Sequence, residues 1–351
     1  MTTSDQTRDH THDSSATQEG PVAAAACAAV PARVGDFEIV ARLGQGAFAQ
    51  VFLARQVSLG RAVALKLSAR EPAGCDEGRL LASLEHDHIV KVFAAFADPD
   101  TGLRGLCLQY VPGADLGAII RHLHAHGPPA GGAAILAALD ELRHGDPGFD
   151  PAALRDREAL AASDFPQAVC LLGAKLAEAL AFAQARGVLH CDIKPGNILL
   201  TPYGRPLLAD FNVAFARAKH DPASGRYGGT LAYMAPEYRA AVMGNPGGAA
   251  DERCDLFSLG VVLHELATGA RPAPAGPSPE SEETLMPGAA PAGRLPPRPL
   301  DAPATLPREL AAVIRRALDP DPAARYQTAA DLAAALSGAR QLLALRRSLP
   351  P

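Results

Sequence analysis

The chain has no Cys-x-x-Cys pair, no long run of lysine and arginine, and no extended apolar stretch near its start. Each absence removes a class of function. The six cysteines (Cys27, Cys75, Cys107, Cys170, Cys191 and Cys254) are scattered, so neither a disulfide framework nor a zinc knuckle is indicated and a reducing cytoplasm fits best. A formal net charge of -5 without a basic run argues against a nucleic-acid platform, whose affinity would rest on neutralising phosphates. The apolar segment Val22 to Val30 is too short to span a bilayer and follows polar residues instead of a basic region, so neither a signal peptide nor a transmembrane helix is expected.

What is present is an ordinary globular composition, 48% hydrophobic and 20% charged over 351 residues, enough for a sizeable core in one unit with an insertion. Residues 1 to 35 pass from a Thr/Ser/Asp/His-rich segment into an Ala/Pro-rich one and read as a flexible tail. Order is expected from Asp36, with a strand at Phe37 to Leu43, a glycine loop Gly44-Gln45-Gly46-Ala47-Phe48-Ala49, and strands at Val51 to Ala54 and Ala62 to Leu67. Glycines in this pattern also occur in dinucleotide-binding folds, but there they join a strand to a helix. Here a strand pattern resumes, which fits a hairpin lid whose small residues let backbone N–H groups approach phosphate oxygens.

Further along, His190-Cys191-Asp192-Ile193-Lys194-Pro195-Gly196-Asn197 is followed, after a strand-like run, by Asp210-Phe211-Asn212. Phosphoryl transfer needs a carboxylate beside the acceptor hydroxyl, a lysine near the transferred phosphate, and oxygen ligands for Mg²⁺ on the nucleotide. Asp192, Lys194, Asn197 and Asp210 can supply these groups. Together the stretches resemble the catalytic loop and metal-binding motif of protein kinases. The Val63-Ala64-Leu65-Lys66 strand and the Gly228 to Glu237 segment ending in Ala235-Pro236-Glu237 are similar to the same family, as is the Asp321 to Tyr326 run with Arg325.

The resemblance implies an α+β, two-lobed protein-kinase fold over residues 36–340. It places a β-rich small lobe at 36–108, a hinge at 109–113, a larger helical lobe at 114–340 with an insertion at about 122–165, and a short tail at 341–351. It implies a serine/threonine protein kinase using ATP and Mg²⁺ on protein substrates. Asp192 would be the base or aligning carboxylate, Lys194 would neutralise the γ-phosphate, and Lys66 would be oriented toward the α- and β-phosphates by Glu77, with Glu71 the lesser candidate. Asn197 and Asp210 would hold the metal. Leu43, Gly44, Gly46, Ala49, Val51, Ala64, Leu108, Gln109, Val111 and Leu199 would line the nucleotide pocket. Thr230 would pack against Asp192 and Lys194, Glu237 would pair with Arg325, and Asp255 would anchor the catalytic loop from below.

The insertion is expected to hold short helices around Ala133 to Leu142 and Ala152 to Ala162. Its His122, His124 and His126 invite a metal reading, against which stands an ordinary solvated surface, since no third ligand has a convincing spacing. Ser163-Asp164-Phe165-Pro166 reads as the start of a long buried helix. A second buried helix is expected from Asp255 to Leu266, stopping at Gly269, and order is expected again at Arg308 to Leu318 and Ala329 to Leu345.

Two positions depart from the family. Asn212 stands where glycine is usual, a mild change because asparagine adopts left-handed backbone most readily among the other residues. Cys191 stands where an arginine usually grips a phosphorylated activation segment, and a neutral thiol cannot do so. Activity is therefore expected not to depend on phosphorylation at Ser224 or Tyr227. A redox role for Cys191 has no resolving cysteine adjacent in sequence to support it. The alternative to an active enzyme is a pseudokinase scaffold that binds nucleotide or partners without transfer. High Ala, Gly and Pro content with arginine preferred over lysine suggests a bacterial source.

Overall fold

The computed structural model describes residues 31–46, 49–68, 81–125, 127–143, 151–211, 230–242, 251–272 and 306–348. Expectations for the tail up to residue 30, Ala47, Phe48, Glu71, Glu77, His126, Asn212, Ser224, Tyr227, Gly228 and Gly229 lie outside these residues.

Strands β1 (Arg33–Val34), β2 (Phe37–Gln45), β3 (Gln50–Gln56), β4 (Arg61–Ser68), β5 (Val92–Ala97) and β6 (Arg104–Gln109) form one antiparallel sheet in the order β1-β2-β3-β4-β6-β5. Alternation explains its two faces. Val63, Leu65 and Leu67 point into a small core with Val34, Phe37, Phe52, Ala54 and Cys107, which leaves Ala64 and Lys66 on the opposite face. Order begins earlier than the sequence pattern suggested: β1 precedes Asp36, because Val34 is fully buried and Ile39 N–H donates to Ala32 O (2.8 Å).

The second layer is helical, built from α1 (Leu116–Ala125), α2 (Gly132–Leu142), α3 (Pro151–Ala161), α4 (Phe165–Gln184), α5 (Pro236–Val242), α6 (Glu252–Thr268), α7 (Arg308–Ala317) and α8 (Ala329–Ser348). A capping box starts α4: the Asp164 carboxylate accepts from Gln167 N–H (2.8 Å), and the Gln167 side chain accepts from Asp164 N–H (3.1 Å). This helix is long and apolar enough to cross a bilayer by length and composition alone, but 67% of its apolar window is buried among the other helices. Helix α6 starts at Glu252, ahead of the expected Asp255, under an Asp251 cap, and closes at Gly269 as expected. The boundary expected at residue 340 falls inside α8, which packs along α4 and buries Leu343 before ending at Ser348.

Between the layers lies a small sheet, β7 (Ala114–Asp115), β8 (Ile198–Leu200) and β9 (Pro206–Leu208), in that order. It is tied to the upper layer by Leu208 N–H to His88 O (2.9 Å), Val90 N–H to Leu208 O (2.8 Å) and the His88 ring to Pro206 O (2.9 Å).

The segment expected as an insertion, about 122–165, holds the end of one helix and a helical pair. Helix α1 continues to Ala125, and the extra segment is pinched off where Gly131 bridges Asp164 and Gly132 N–H donates to Ser163 O (2.9 Å). Its two helices α2 and α3 fall almost where the sequence placed them. They pack closely at Gly132, where a Cβ would lie 1.9 Å from the Leu160 carbonyl oxygen.

Candidate active site

The face of the main sheet opposite its core carries the residues expected to meet a nucleotide. Register sets Gly44 opposite Val51, Val51 opposite Lys66, and Ala64 opposite Leu108, and directly opposed residues in an antiparallel pair share a face. Gly46 N–H donates to Ala49 O (2.8 Å), closing the end of the β2–β3 hairpin. Gln109 ends β6 and its N–H donates to Lys91 O (2.8 Å); Val111 follows in irregular chain, and Leu199 sits below in β8, opposite Leu207.

The loop from His190 to Asn197 is held from beneath. Both oxygens of the buried Asp255 carboxylate accept backbone N–H groups, Oδ2 from His190 and Oδ1 from Cys191, each at 2.8 Å. Burial pushes the Asp255 carboxyl above its usual range, against the opposing pull of His190 and these two N–H groups. Two residues of the site have left-handed backbone, Cys191 (φ 60°) and Asp210 (φ 62°), and the Asp255 grip bears directly on the strain at Cys191.

Asp192 is the centre of the polar constellation. Its Oδ1 accepts from Thr230 N–H (2.9 Å) and Thr230 Oγ1 (3.1 Å), its Oδ2 from Asn197 Nδ2 (3.0 Å), and Lys194 Nζ lies 2.9 Å from Oδ2. Lys194 Nζ also donates to Thr230 Oγ1 (2.9 Å), so Thr230 joins the lysine to the carboxylate as expected. Across the cleft the Lys66 ammonium contacts Asp210 Oδ1 directly. Burial raises the Asp210 carboxyl, but the Lys66 charge and hydrogen bond outweigh it and hold it below the usual carboxylate value. Its side chain is 48% exposed, so water tempers both influences. The Lys66–Glu77 pair falls outside the described residues.

The donor set fits Mg²⁺. Asn197 uses its amide nitrogen for Asp192, which leaves the amide oxygen to offer, and Asp210 attracts a cation already, in the form of Lys66. Both are hard oxygen donors of the kind this ion takes. Ala209 N–H donates to Asn197 O (2.9 Å), and His190 Nε2 donates to Ala209 O (3.0 Å) while its ring lies tilted against Phe211, centroids 4.5 Å apart.

The two described histidines of the expected cluster, His122 and His124, go to separate partners. Among the described residues His122 approaches Glu141 (3.6 Å), whereas the His124 ring donates to Leu266 O (3.1 Å). The grouping of Cys191, Cys254 and Asp255, with ligand atoms within 4.8 Å of one another, is a hydrogen-bonded core in which both Asp255 oxygens are already committed. The Cys191 thiol bonds Cys254 and Tyr238. Its bond with Cys254 pulls its pKa down, but burial and the Asp255 charge outweigh this and push it up. Cys254 was not singled out by sequence reasoning. The available signal was its position next to Asp255, whose contact with the loop was expected.

Glu237 and Arg325 do pair. Arg325 is fully buried and bonds Glu237 through Nη1 to Oε1 (2.7 Å) and Nη2 to Oε2 (2.8 Å). Its other donors reach Asp319 O (2.6 Å), Arg253 O (3.1 Å) and Pro320 O (3.3 Å).

Known proteins share both sequence and fold with this chain. Residues 160–335 match the protein kinase domain, and residues 40–216 match the phosphotransferase enzyme family. The DNA damage-responsive serine/threonine-protein kinase RqkA of Deinococcus radiodurans is 33% identical over 247 residues, covering 68% of this chain and 30% of that protein. The serine/threonine-protein kinase Pkn1 of Myxococcus xanthus is 30% identical, covering 72% of this chain and 32% of its own. The kinase domain of Mycobacterium tuberculosis PknI shares the fold, with a TM-score of 0.54 at 24% identity over 89% of this chain and 100% of that one. The chain spans about a third of the length of these two curated relatives. With the match to the protein kinase domain extending over half its length, this chain belongs to the protein kinase family, among the bacterial serine/threonine kinases of eukaryotic type.

Proposed function

We propose that the chain transfers the γ-phosphate of ATP to serine or threonine hydroxyls of proteins. The observation that carries this reading is the Asp192 carboxylate, held at once by Thr230, Asn197 and Lys194 and still 18% exposed. A carboxylate held this way accepts or aligns the acceptor proton. Lys194 then faces the transferred phosphoryl group, and Lys66 turns from Asp210 to the α- and β-phosphates when nucleotide enters. Glu77 is the proposed partner of Lys66 in that state. Asn197 and Asp210 would hold Mg²⁺, which supplies charge neutralisation on the phosphates. Leu43, Gly44, Gly46, Ala49, Val51, Ala64, Leu108, Gln109, Val111 and Leu199 form the proposed nucleotide wall. The free thiols of Cys107, Cys170, Cys191 and Cys254 suit a reducing, cytoplasmic setting.

The test is phosphotransfer from labelled ATP with Mg²⁺, run on the chain and on Asp192→Ala. Label is expected on a protein acceptor with the first and lost with the second. ATP binding without transfer in either protein would replace the enzyme with a nucleotide-binding scaffold.

A further inference from the structure

We propose that the inserted helices α2 and α3 position the metal-binding pair Asn197 and Asp210 through the turn between β8 and β9, with Asp156 as the central positioning residue. This rests on the kinase reading of the site, in which those two residues hold Mg²⁺.

The hairpin is the frame that sets the two ligands apart. Asn197 immediately precedes β8, and Asp210 follows β9 after one residue. The ladder between the strands has three pairs, Ile198–Leu208, Leu199–Leu207 and Leu200–Pro206, and proline supplies no N–H to it. So short a hairpin is weak by itself, and the two-residue β7 adds little. Its turn end is steadied on one side by His88, which bonds Pro206 O, and on the other by the insertion.

The insertion meets the turn in three ways. Arg157 Nη1 donates to Pro202 O (2.7 Å). Asp156 Oδ2 accepts from Arg205 Nε (2.6 Å), while its Oδ1 lies 3.3 Å from Lys175 Nζ on α4. Gly204, with φ 76°, lies flush against the helices: a Cβ there would stand 2.7 Å from Leu160 and 3.1 Å from Leu136. One carboxylate thus bridges the insertion, the helix leading to the catalytic loop, and the metal hairpin. Its side chain is 19% exposed, so water screens the junction only in part. Burial raises the Asp156 carboxyl, yet Arg205 and Lys175 hold it below the usual range, in keeping with a carboxylate kept charged between two cations.

Without that charge, Lys175 and Arg205 face each other uncompensated and the turn shifts off α3. The shift reaches Asn197 and Asp210 through the three-pair ladder; Asp192 shares its bond with Asn197 but is held as well by Thr230 and Lys194, and the loop before it by Asp255 of α6. Metal binding should therefore suffer more than the acceptor side.

The experiment uses the full chain with Asp156→Asn, which keeps the volume, beside Asp156→Ala. Two readouts are taken: the Mg²⁺ dependence of phosphotransfer, and equilibrium binding of Mn²⁺ to the ADP complex followed by electron paramagnetic resonance. Partners of metal ligands commonly change affinity about 10–100-fold, and one shell further out a three- to tenfold loss of Mn²⁺ affinity is expected, roughly in step with the Mg²⁺ requirement. At saturating Mg²⁺, kcat and the peptide KM should stay within about twofold of the parent. Unchanged Mn²⁺ affinity in Asp156→Asn overturns the proposal, as does a fall in kcat that Mg²⁺ cannot restore. If Asp156→Ala does not fold, Asp156→Asn decides; if neither folds, Arg205→Met, which breaks the same contact from the turn, is read by the same criteria. Mn²⁺ binding that weakens in the variants while the parent shows no phosphotransfer leaves the positioning role standing and removes the kinase reading. Transfer by the parent with no change in the variants does the reverse.

Discussion

Glu237→Gln should destabilise the fold far more than a single surface substitution would. The Arg325 guanidinium has five N–H donors, and the structure provides an acceptor for each: two from Glu237 and one each from the carbonyls of Asp319, Arg253 and Pro320. Glutamine keeps one oxygen but turns the other into an N–H group that faces a donor. Breaking one partner of a buried pair costs about 3–5 kcal/mol, a large share of a total stability on the order of 5–15 kcal/mol. Replacing both partners by methionine is neutral or favourable in some proteins, but here three carbonyls would lose a charged donor. Arg253 O still accepts within its helix, so at about 1 kcal/mol for each of the half-buried Asp319 and Pro320 carbonyls left unpaired the double variant should remain roughly 2 kcal/mol below the parent. Urea unfolding at 25 °C, followed by circular dichroism and by tyrosine emission in this tryptophan-free chain, measures both. A loss below about 1 kcal/mol in Glu237→Gln, or parent-like stability in the double variant, would refute this account.

Acid should weaken the contact between the layers through His88. Burial, assisted by the Lys175 charge, lowers its pKa from 6.5 to about 4, so between those values the unfolded chain binds more protons than the folded one. Stability should fall as pH drops through that window, by up to about 1.4 kcal/mol per unit, and His88→Gln should flatten the slope; an unchanged slope in urea titrations would count against it. Asp255→Asn leaves one of the two loop N–H groups facing an amide nitrogen. Losing a charged hydrogen bond of about 1.5–3 kcal/mol predicts a fall in kcat of roughly ten- to a hundredfold with little change in ATP affinity, measured by steady-state kinetics and nucleotide titration. Normal kcat would show that the loop keeps its shape unaided. Ser224→Ala and Tyr227→Phe, alone and combined, should keep activity within about twofold in the labelled-ATP assay, since Cys191 offers no cation for a phosphate; abolished activity in folded protein would reverse that reading.

Local pattern carried much of this structure. The alternation around Lys66 gave β4 and its two faces, Ser163 to Pro166 marked the start of α4, and Gly269 marked the end of α6. The spacing of Asp192, Lys194 and Asn197 anticipated groups that do converge with Thr230. Less legible were contacts made by residues with no special local signal. Two residues before a glycine give no strand signature, yet Val34 closes the small core in β1. Charged residues on a short helix read as a solvated face, but Asp156 and Arg157 of α3 are the ones that reach the β8–β9 turn. Leu342 and Leu345 are exposed, so the last part of α8 carries little apolar periodicity to mark its end. Cys191 and Cys254 come together only because Asp255 draws the loop onto α6.

Helix α6 also sets an order of events. Its Asp255 holds the loop at His190 and Cys191, its Ser258 donates to Tyr233 O (2.8 Å), and its Glu265 accepts from the Tyr233 hydroxyl (2.7 Å). Every group proposed to touch phosphate or acceptor precedes Leu231 in the chain, while this support begins at Glu252. During synthesis from the N-terminus, a nascent chain therefore possesses its whole reactive set before it has the floor that arranges it. On the kinase reading, competence to phosphorylate would follow, not precede, the docking of α6.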